Sequence, residues 1–174
     1  VCSSDLVNLQ TEQHGTAMKE EYAWQGRAEY GYGDEKLSSE GYYTIAAEAK
    51  EHEGGPWFDV RIARFHNIFG EEGTWEGGRE KAPAALCRKI AAAPNGGQIE
   101  MWGDGKQTRT FLYIDECVEG VRRLMNSNFS GPVNIGSEEL VSINQLAELI
   151  MGISEKKLKI KHIDGPQGVR GRSS

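Results

Sequence analysis

Between residues 59 and 163, short β-rich runs alternate with runs whose apolar residues recur every three or four positions, and glycine or proline marks nearly every junction. No other feature restricts the fold so much. Strands separated by helix-length connections run parallel, with the helices covering the sheet, which places the chain in the α/β class. The spacing predicts a strand over 59–69 that runs into a loop closed by Gly70. A helix over 83–93 follows, with Pro83 in its first turn and Pro94-Asn95-Gly96-Gly97 as its stop. Strands over 98–102 and 108–114, joined by Gly103-Asp104-Gly105, read as a hairpin decorating the parallel sheet. Asp115 caps a helix whose apolar face is Cys117, Val118, Val121, Leu124 and Met125. A strand over 132–135, a helix opened by the capping box Ser142-Ile143-Asn144-Gln145 and reaching Ile150, and a strand over 158–163 complete the pattern. Loop 70–80, around Trp75, is rich in glycine and turn-prone residues.

The 174 residues match one domain by length, and 38% hydrophobic with 26% charged residues is the composition of a water-soluble globular chain. No apolar run approaches the ~20 residues needed to cross a bilayer, and no basic, apolar-centred leader is visible, so a cytoplasmic location is expected. Three widely spaced cysteines without a Cys-x-x-Cys pair argue against a disulfide framework or structural zinc, and Cys87 and Cys117 read as reduced core residues on helices. His14, His52, His66 and His162 lack metal-ligand spacing, so no metal is expected. A net charge of −6 disfavours nucleic acid or an anionic membrane as partner. Any phosphate must then be held by a local basic cluster.

Upstream, Val1 to Leu6 read as foreign, adapter-derived residues joined to an incomplete coding region, and residues 7–31 as a polar loop. Tyr32-Gly33-Asp34-Glu35-Lys36 then leads into a helix-forming run ending at Gly54-Gly55-Pro56, with Leu37, Gly41, Ile45, Ala46 and Ala49 as its apolar face. If the segment opens that helix, Tyr32 and Lys36 lie one turn apart and project the same way. A phenol with a pKa of about 10 is a poor base at neutral pH, and a neighbouring ammonium favours the phenolate. Such a pair suits hydride-transferring enzymes, in which a carbinol gives up hydride as a base takes its proton. Alone, it also describes any exposed pair on a helix.

Taken together, that helix, Arg64-Phe65-His66-Asn67-Ile68-Phe69-Gly70, Gly77-Gly78-Arg79-Glu80-Lys81-Ala82-Pro83, Trp102-Gly103-Asp104-Gly105-Lys106-Gln107-Thr108-Arg109 and the 165–172 segment resemble the extended short-chain dehydrogenase/reductase superfamily. Within it they resemble members of the NAD-dependent epimerase/dehydratase family that act on GDP-sugars, over about residues 22–174. The resemblance implies a Rossmann-like parallel sheet with a smaller α/β substrate-binding lobe, here incomplete. Residues 7–78 and 115–137 would belong to the dinucleotide-binding domain, and 79–114 and 138–174 to the lobe. It also implies a homodimer when complete, NAD as cofactor, and conversion of GDP-mannose to GDP-L-galactose. That reaction passes through a ketone at carbon 4, which acidifies the hydrogens on both flanking carbons.

On the same resemblance Tyr32 is the catalytic base, and Lys36 holds the nicotinamide ribose and lowers the phenol's pKa. Lys81 is the acid/base that returns a proton to the opposite face of the carbanion; a cation at a helix start is otherwise disfavoured there. Lys89, Arg109 and Arg172 would hold phosphate, and Asn67, Glu80, Ala82, Gln107 and Thr108 would orient sugar and nucleotide. Arg88 and Lys106 read as plain surface charges. Gly165-Pro166-Gln167-Gly168-Val169-Arg170-Gly171 imitates a dinucleotide fingerprint but, with Arg172 next to it, carries two arginines and no following helix, so it belongs to the substrate side. The family's first βαβ unit, glycine fingerprint and catalytic cysteine turn are absent, Cys2 is given no role, and the chain as written is expected to be inactive. The longer Gly54-Gly55-Pro56-Trp57 connection and Glu71, where the family commonly has proline, are smaller departures. A different nucleotide-sugar epimerase or dehydratase, or a non-catalytic nucleotide-sugar-binding module, remain the alternatives; Lys81 separates the first and the tuned bases the second.

Overall fold

A computed structural model describes residues 20, 31–53 and 59–165, with the backbone alone at 31–32 and 50–53. Among these residues the order is α1 (Gly31–Glu53), β1 (Ile62–Phe65), β2 (Asn67–Phe69), α2 (Ala82–Ala92), β3 (Gln98–Trp102), β4 (Thr108–Tyr113), α3 (Ile114–Met125), β5 (Pro132–Ile135), β6 (Leu140–Ser142), α4 (Ile143–Ile153) and β7 (Lys159–Ile163). Strands pair as β1-β5, β2-β4-β6 and β3-β7, all parallel except β4 with β6. The class is α/β, as the alternation requires. The adapter-like start, the 7–19 and 21–30 stretches, the Gly54-Gly55-Pro56 stop and Arg172 lie outside the described residues.

Each long parallel pair joins strands that are far apart in sequence, and a helix supplies the cover. Alternation in β3 sends Ile99 and Met101 inward, where they meet Leu86 and Ile90 of α2 and Ile143, Leu146 and Ala147 of α4. A second cluster packs Cys117 and Leu124 of α3 on Ala63, Leu112 and Ile135. Full burial of a side chain such as Ile90, 1% exposed, stabilises by about 1.5–3 kcal/mol. The capping box forms at Ser142: its hydroxyl accepts from the Gln145 N–H at 3.1 Å, and the Gln145 side chain accepts from the Ser142 N–H at 2.8 Å. The helix it opens runs beyond Ile150 to Ile153.

Several expectations are corrected. The run over 59–69 is two strands, not one, because the chain changes partners at His66. The His66 N–H donates to the Ile135 carbonyl at 3.1 Å, after which β2 leaves β5 and pairs with β4. The hairpin over 98–114 does not form. Its strands have other partners, β7 for β3 and β2 with β6 for β4. The turn between them is instead tied to the start of α4: the Asn144 N–H donates to the Gly105 carbonyl at 3.0 Å, and the Asn144 carboxamide donates to the Asp104 carbonyl at 3.0 Å.

Asp115 does not cap α3; Tyr113 holds the N-cap position without a side-chain cap, and Asp115 and Glu116 sit in the first turn, where the helix dipole favours carboxylates. Val118 and Met125 are 59% and 70% exposed, since each lies one position past the Cys117/Leu124 stripe that faces the sheet. Cys87 is exposed, whereas Cys117 is buried as expected. In α1 the buried line is Gly33, Leu37 and Glu40, while Ile45 is 64% exposed. The face is rotated because Glu40 goes inside to meet Arg64.

That pair fastens α1 to the sheet. Arg64 Nε donates to Glu40 Oε1 at 3.0 Å and Nη2 to Oε2 at 2.6 Å, and both side chains are almost fully buried. Arg64 Nη1 also donates to the Glu20 carbonyl at 2.7 Å. The helix that carries Tyr32 and Lys36 is therefore fixed to β1 by charge rather than by an apolar stripe.

Candidate active site

The site is built where α2 begins. Its N-cap is Lys81, with extended backbone (φ −73°, ψ 158°) and no side-chain cap, and proline in the first turn starts the helix without a wasted donor. The preceding loop turns through Gly77 and Gly78, whose φ values of 89° and 84° favour residues lacking a Cβ. Glu80 then folds the loop on itself. Its Oε2 accepts from the Gly78 N–H at 2.7 Å and its Oε1 from Arg88 Nη2 at 3.0 Å, while Arg88 Nε donates to the Trp75 carbonyl at 2.9 Å. Hydrogen bonding to its own backbone, helped by Arg88 and the Gly78 N–H, holds the Glu80 carboxyl below the ordinary carboxylate range. At neutral pH it is an acceptor only.

Between this loop, α2 and the strands β3 and β4 lies a cleft of about 460 Å³, within the range of sites for small organic ligands. Its floor is apolar, from Leu86, Met101, Phe111 and Ile143. Lys81, Arg88, Lys89 and Arg109 line it with positive charge, against the acids Glu80 and Glu100. In a chain of net charge −6 such a concentration suits an anionic ligand with an apolar or stacking part. Asn67 is oriented by donation of its carboxamide to the Thr110 carbonyl at 3.0 Å. Lys89 donates to the Glu100 carbonyl at 2.7 Å, and Arg109 Nη1 to the Thr108 carbonyl at 2.6 Å.

Asn67, Glu80, Lys81, Ala82, Lys89, Gln107 and Arg109 thus share one cleft although they come from three segments of the chain. Thr108 is not among the lining residues, and Arg172 lies outside the described residues. Lys36 is not on this cleft's wall either: it sits on α1 with its side chain 27% exposed, 3.9 Å from the Glu35 carboxylate. Tyr32 is in the first turn of the same helix, so the one-turn spacing from Lys36 holds in the backbone, while its side chain lies outside what is described. Lys106 is exposed and away from the cleft, as a surface charge would be, but Arg88 is not a plain surface charge. The signal for Arg88 was its spacing: it lies two turns after Lys81 and next to Lys89, on the face of α2 that turns to the cleft.

A second contact anchors the start of the loop. The Tyr113 hydroxyl donates to Glu71, 2.8 Å to Oε1 and 2.6 Å to Oε2, and the Phe69 ring meets the Tyr113 ring edge-on at 5.7 Å. The Glu71 carboxylate pushes the phenol's pKa up to about 12, and the phenol in turn holds Glu71 below the carboxylate range. Among the described residues no group of three His, Cys, Asp or Glu side chains gathers in a way that could hold a metal, and no helix is long and apolar enough to cross a membrane.

Known proteins carry the same arrangement of sequence. The NAD dependent epimerase/dehydratase family model matches residues 3–136. The chain is 52% identical over 165 residues to the GDP-mannose 3,5-epimerase of Arabidopsis thaliana, covering 95% of this chain and 42% of that protein. It is 41% identical over 92 residues to UDP-glucuronic acid decarboxylase 1 of Xenopus tropicalis, covering 53% of this chain and 21% of that one. In fold it superposes on the UDP-N-acetylglucosamine 4-epimerase of Methanobrevibacter ruminantium M1 with a TM-score of 0.81 at 22% identity, over 99% of this chain and 52% of that structure. The chain therefore spans about two fifths of the length of the 3,5-epimerase relative, and within that span it belongs to the NAD dependent epimerase/dehydratase family.

Proposed function

We propose that the complete protein epimerises a GDP-hexose, turning GDP-mannose into GDP-L-galactose, with NAD as cofactor. The observation that carries this is the convergence of Lys81 with Glu80, Asn67, Lys89 and Arg109 in one cation-rich cleft, in a chain 52% identical to a GDP-mannose 3,5-epimerase. Lys36 offers a partly exposed ammonium of the kind that ribose hydroxyls accept from, so the described end of α1 fits a role in holding the dinucleotide. When bound, NAD would supply the hydride acceptor and donor for carbon 4.

The chain's own residues handle protons and position. Tyr32 takes the proton of the carbon 4 hydroxyl, with Lys36 one turn away stabilising the phenolate. The resulting ketone acidifies carbons 5 and 3. Lys81 delivers a proton to one face of the carbanion, and inversion requires a second acid/base on the other face, since one group alone would only exchange the proton. Lys89 and Arg109 take the diphosphate, with Arg172 as a third cation, while Asn67, Glu80, Gln107 and Thr108 hold sugar and nucleotide. In the same assignment residues 7–78 and 115–137 belong to the dinucleotide-binding domain and 79–114 with 138–174 to the substrate lobe, and the complete protein is a homodimer. Exposed Tyr42, Tyr43 and Ile45 on α1 are apolar surface that supports such an association.

Chromatographic separation of the product from GDP-mannose, together with its mass, tests the function. Complete protein incubated with NAD and GDP-mannose should yield an isomer of unchanged mass. A product lighter by one water would make it a dehydratase, and tight binding without any product would leave only a nucleotide-sugar-binding module.

A further inference from the structure

Loop 70–80 forms one wall of the cleft, yet it has almost no core of its own: Glu71 to Arg79 are all exposed. Backbone without buried side chains is held by polar contacts or not at all. At the Lys81 end, among the described residues, Arg88 supplies side-chain contacts from α2 to the loop. Its Nη2 donates to Glu80 Oε1 at 3.0 Å and its Nε to the Trp75 carbonyl at 2.9 Å, so one guanidinium grips both the loop's middle and its last residue. The far oxygen of Glu80 takes the Gly78 N–H at 2.7 Å, which closes the turn at the two positive-φ glycines. Arg88 itself is on α2, close to the buried Leu86 and Ile90 that pack the helix into the core.

We propose that Arg88 is a positioning residue: by bridging the Glu80 carboxylate and the Trp75 carbonyl it holds the 75–80 loop against α2, and so fixes Glu80 and Lys81 at the cleft. The inference rests on the proposed function in that it takes Lys81 as an acid/base and Glu80 as a substrate contact. Arginine suits the task because its planar fork holds several donors in fixed directions, whereas lysine offers a compact charge on a flexible stem. Displacement of an acid/base by about 1 Å can cost on the order of 100-fold in rate. Losing the bridge should therefore act on proton transfer more than on binding.

The test compares Arg88→Gln and Arg88→Lys with wild type in the complete protein, with Arg122→Gln on α3 as a surface control. Amide hydrogen exchange over residues 75–81 should accelerate about tenfold in Arg88→Gln, less in Arg88→Lys, and not at all in the control. Turnover of GDP-mannose should fall by roughly 10- to 100-fold in kcat, with KM within about threefold and partial recovery in Arg88→Lys. Dissociation constants for GDP, measured by calorimetry, should stay within about threefold. Unchanged exchange across the loop overturns the proposal, and so does a tenfold loss of GDP affinity, which would make Arg88 a ligand contact. If wild type does not epimerise GDP-mannose, the proposed function fails, but the exchange and GDP arms still decide the role of Arg88.

Discussion

Replacing Glu40 by leucine should destabilise the complete protein by about 3–5 kcal/mol, although the new side chain is apolar and similar in size. Arg64 is 4% exposed and its charge is met by Glu40 through contacts of 3.0, 3.2 and 2.6 Å. Without the carboxylate, among the described residues only the Glu20 carbonyl bond at 2.7 Å remains to this buried guanidinium. The cost is mostly that of leaving a buried cation unpaired, and against a typical total stability of 5–15 kcal/mol it is a large fraction. The double variant Glu40→Leu/Arg64→Met removes both charges and should regain most of the loss, giving a favourable coupling of about 2–4 kcal/mol in a double-mutant cycle. Urea unfolding followed by far-ultraviolet circular dichroism measures all three variants. A loss below about 1 kcal/mol in the single variant, or a double variant no better than the single one, would refute the idea that an ion pair fastens α1 to the sheet.

Two further outcomes follow from local geometry. Gly105→Ala should cost about 1–3 kcal/mol in the same unfolding assay, because φ is +66° and the added methyl would run into the Asn144 side-chain oxygen and come within 2.7 Å of Met101 Sδ. The Tyr113 phenol should ionise near pH 12 and move back toward 10 in Glu71→Gln, seen by ultraviolet difference titration against Tyr113→Phe. The sign is fixed by the shifts: the raised phenol pKa gives a contribution present below pH 10 and lost as pH rises through about 12, and the depressed Glu71 pKa gives one present above 4.5 and lost as pH falls through the lower folded value.

Elements with a strong period or a chemical terminator could be read from the residues: α2 with its proline start, β3 with its alternation, α4 with its capping box. What depended on partners could not. Nothing local told that β3 would prefer β7 to its sequence neighbour β4, since a Gly-Asp-Gly turn serves either arrangement and the decision lies in how Ile99 and Met101 pack between α2 and α4. The three-residue β6 is too short to carry a period, and it exists through pairing with β4. Glu40 was hidden by its charge, because a helix pattern read for apolar residues places a carboxylate outside. In the cleft, residue types with an evident phosphate or sugar chemistry were identifiable, whereas Arg88 acts through Glu80 and Trp75, which only geometry reveals.

Incorporation of solvent deuterium tests the central claim most directly. Complete protein, NAD and GDP-mannose in deuterated water should return GDP-sugar carrying deuterium at carbons 5 and 3, because the proposed reaction forms a carbanion at each and reprotonates it from the solvent. Recovered sugar with label at neither carbon, under conditions in which the protein binds it, would contradict the assignment of Lys81 and its cleft to epimerisation.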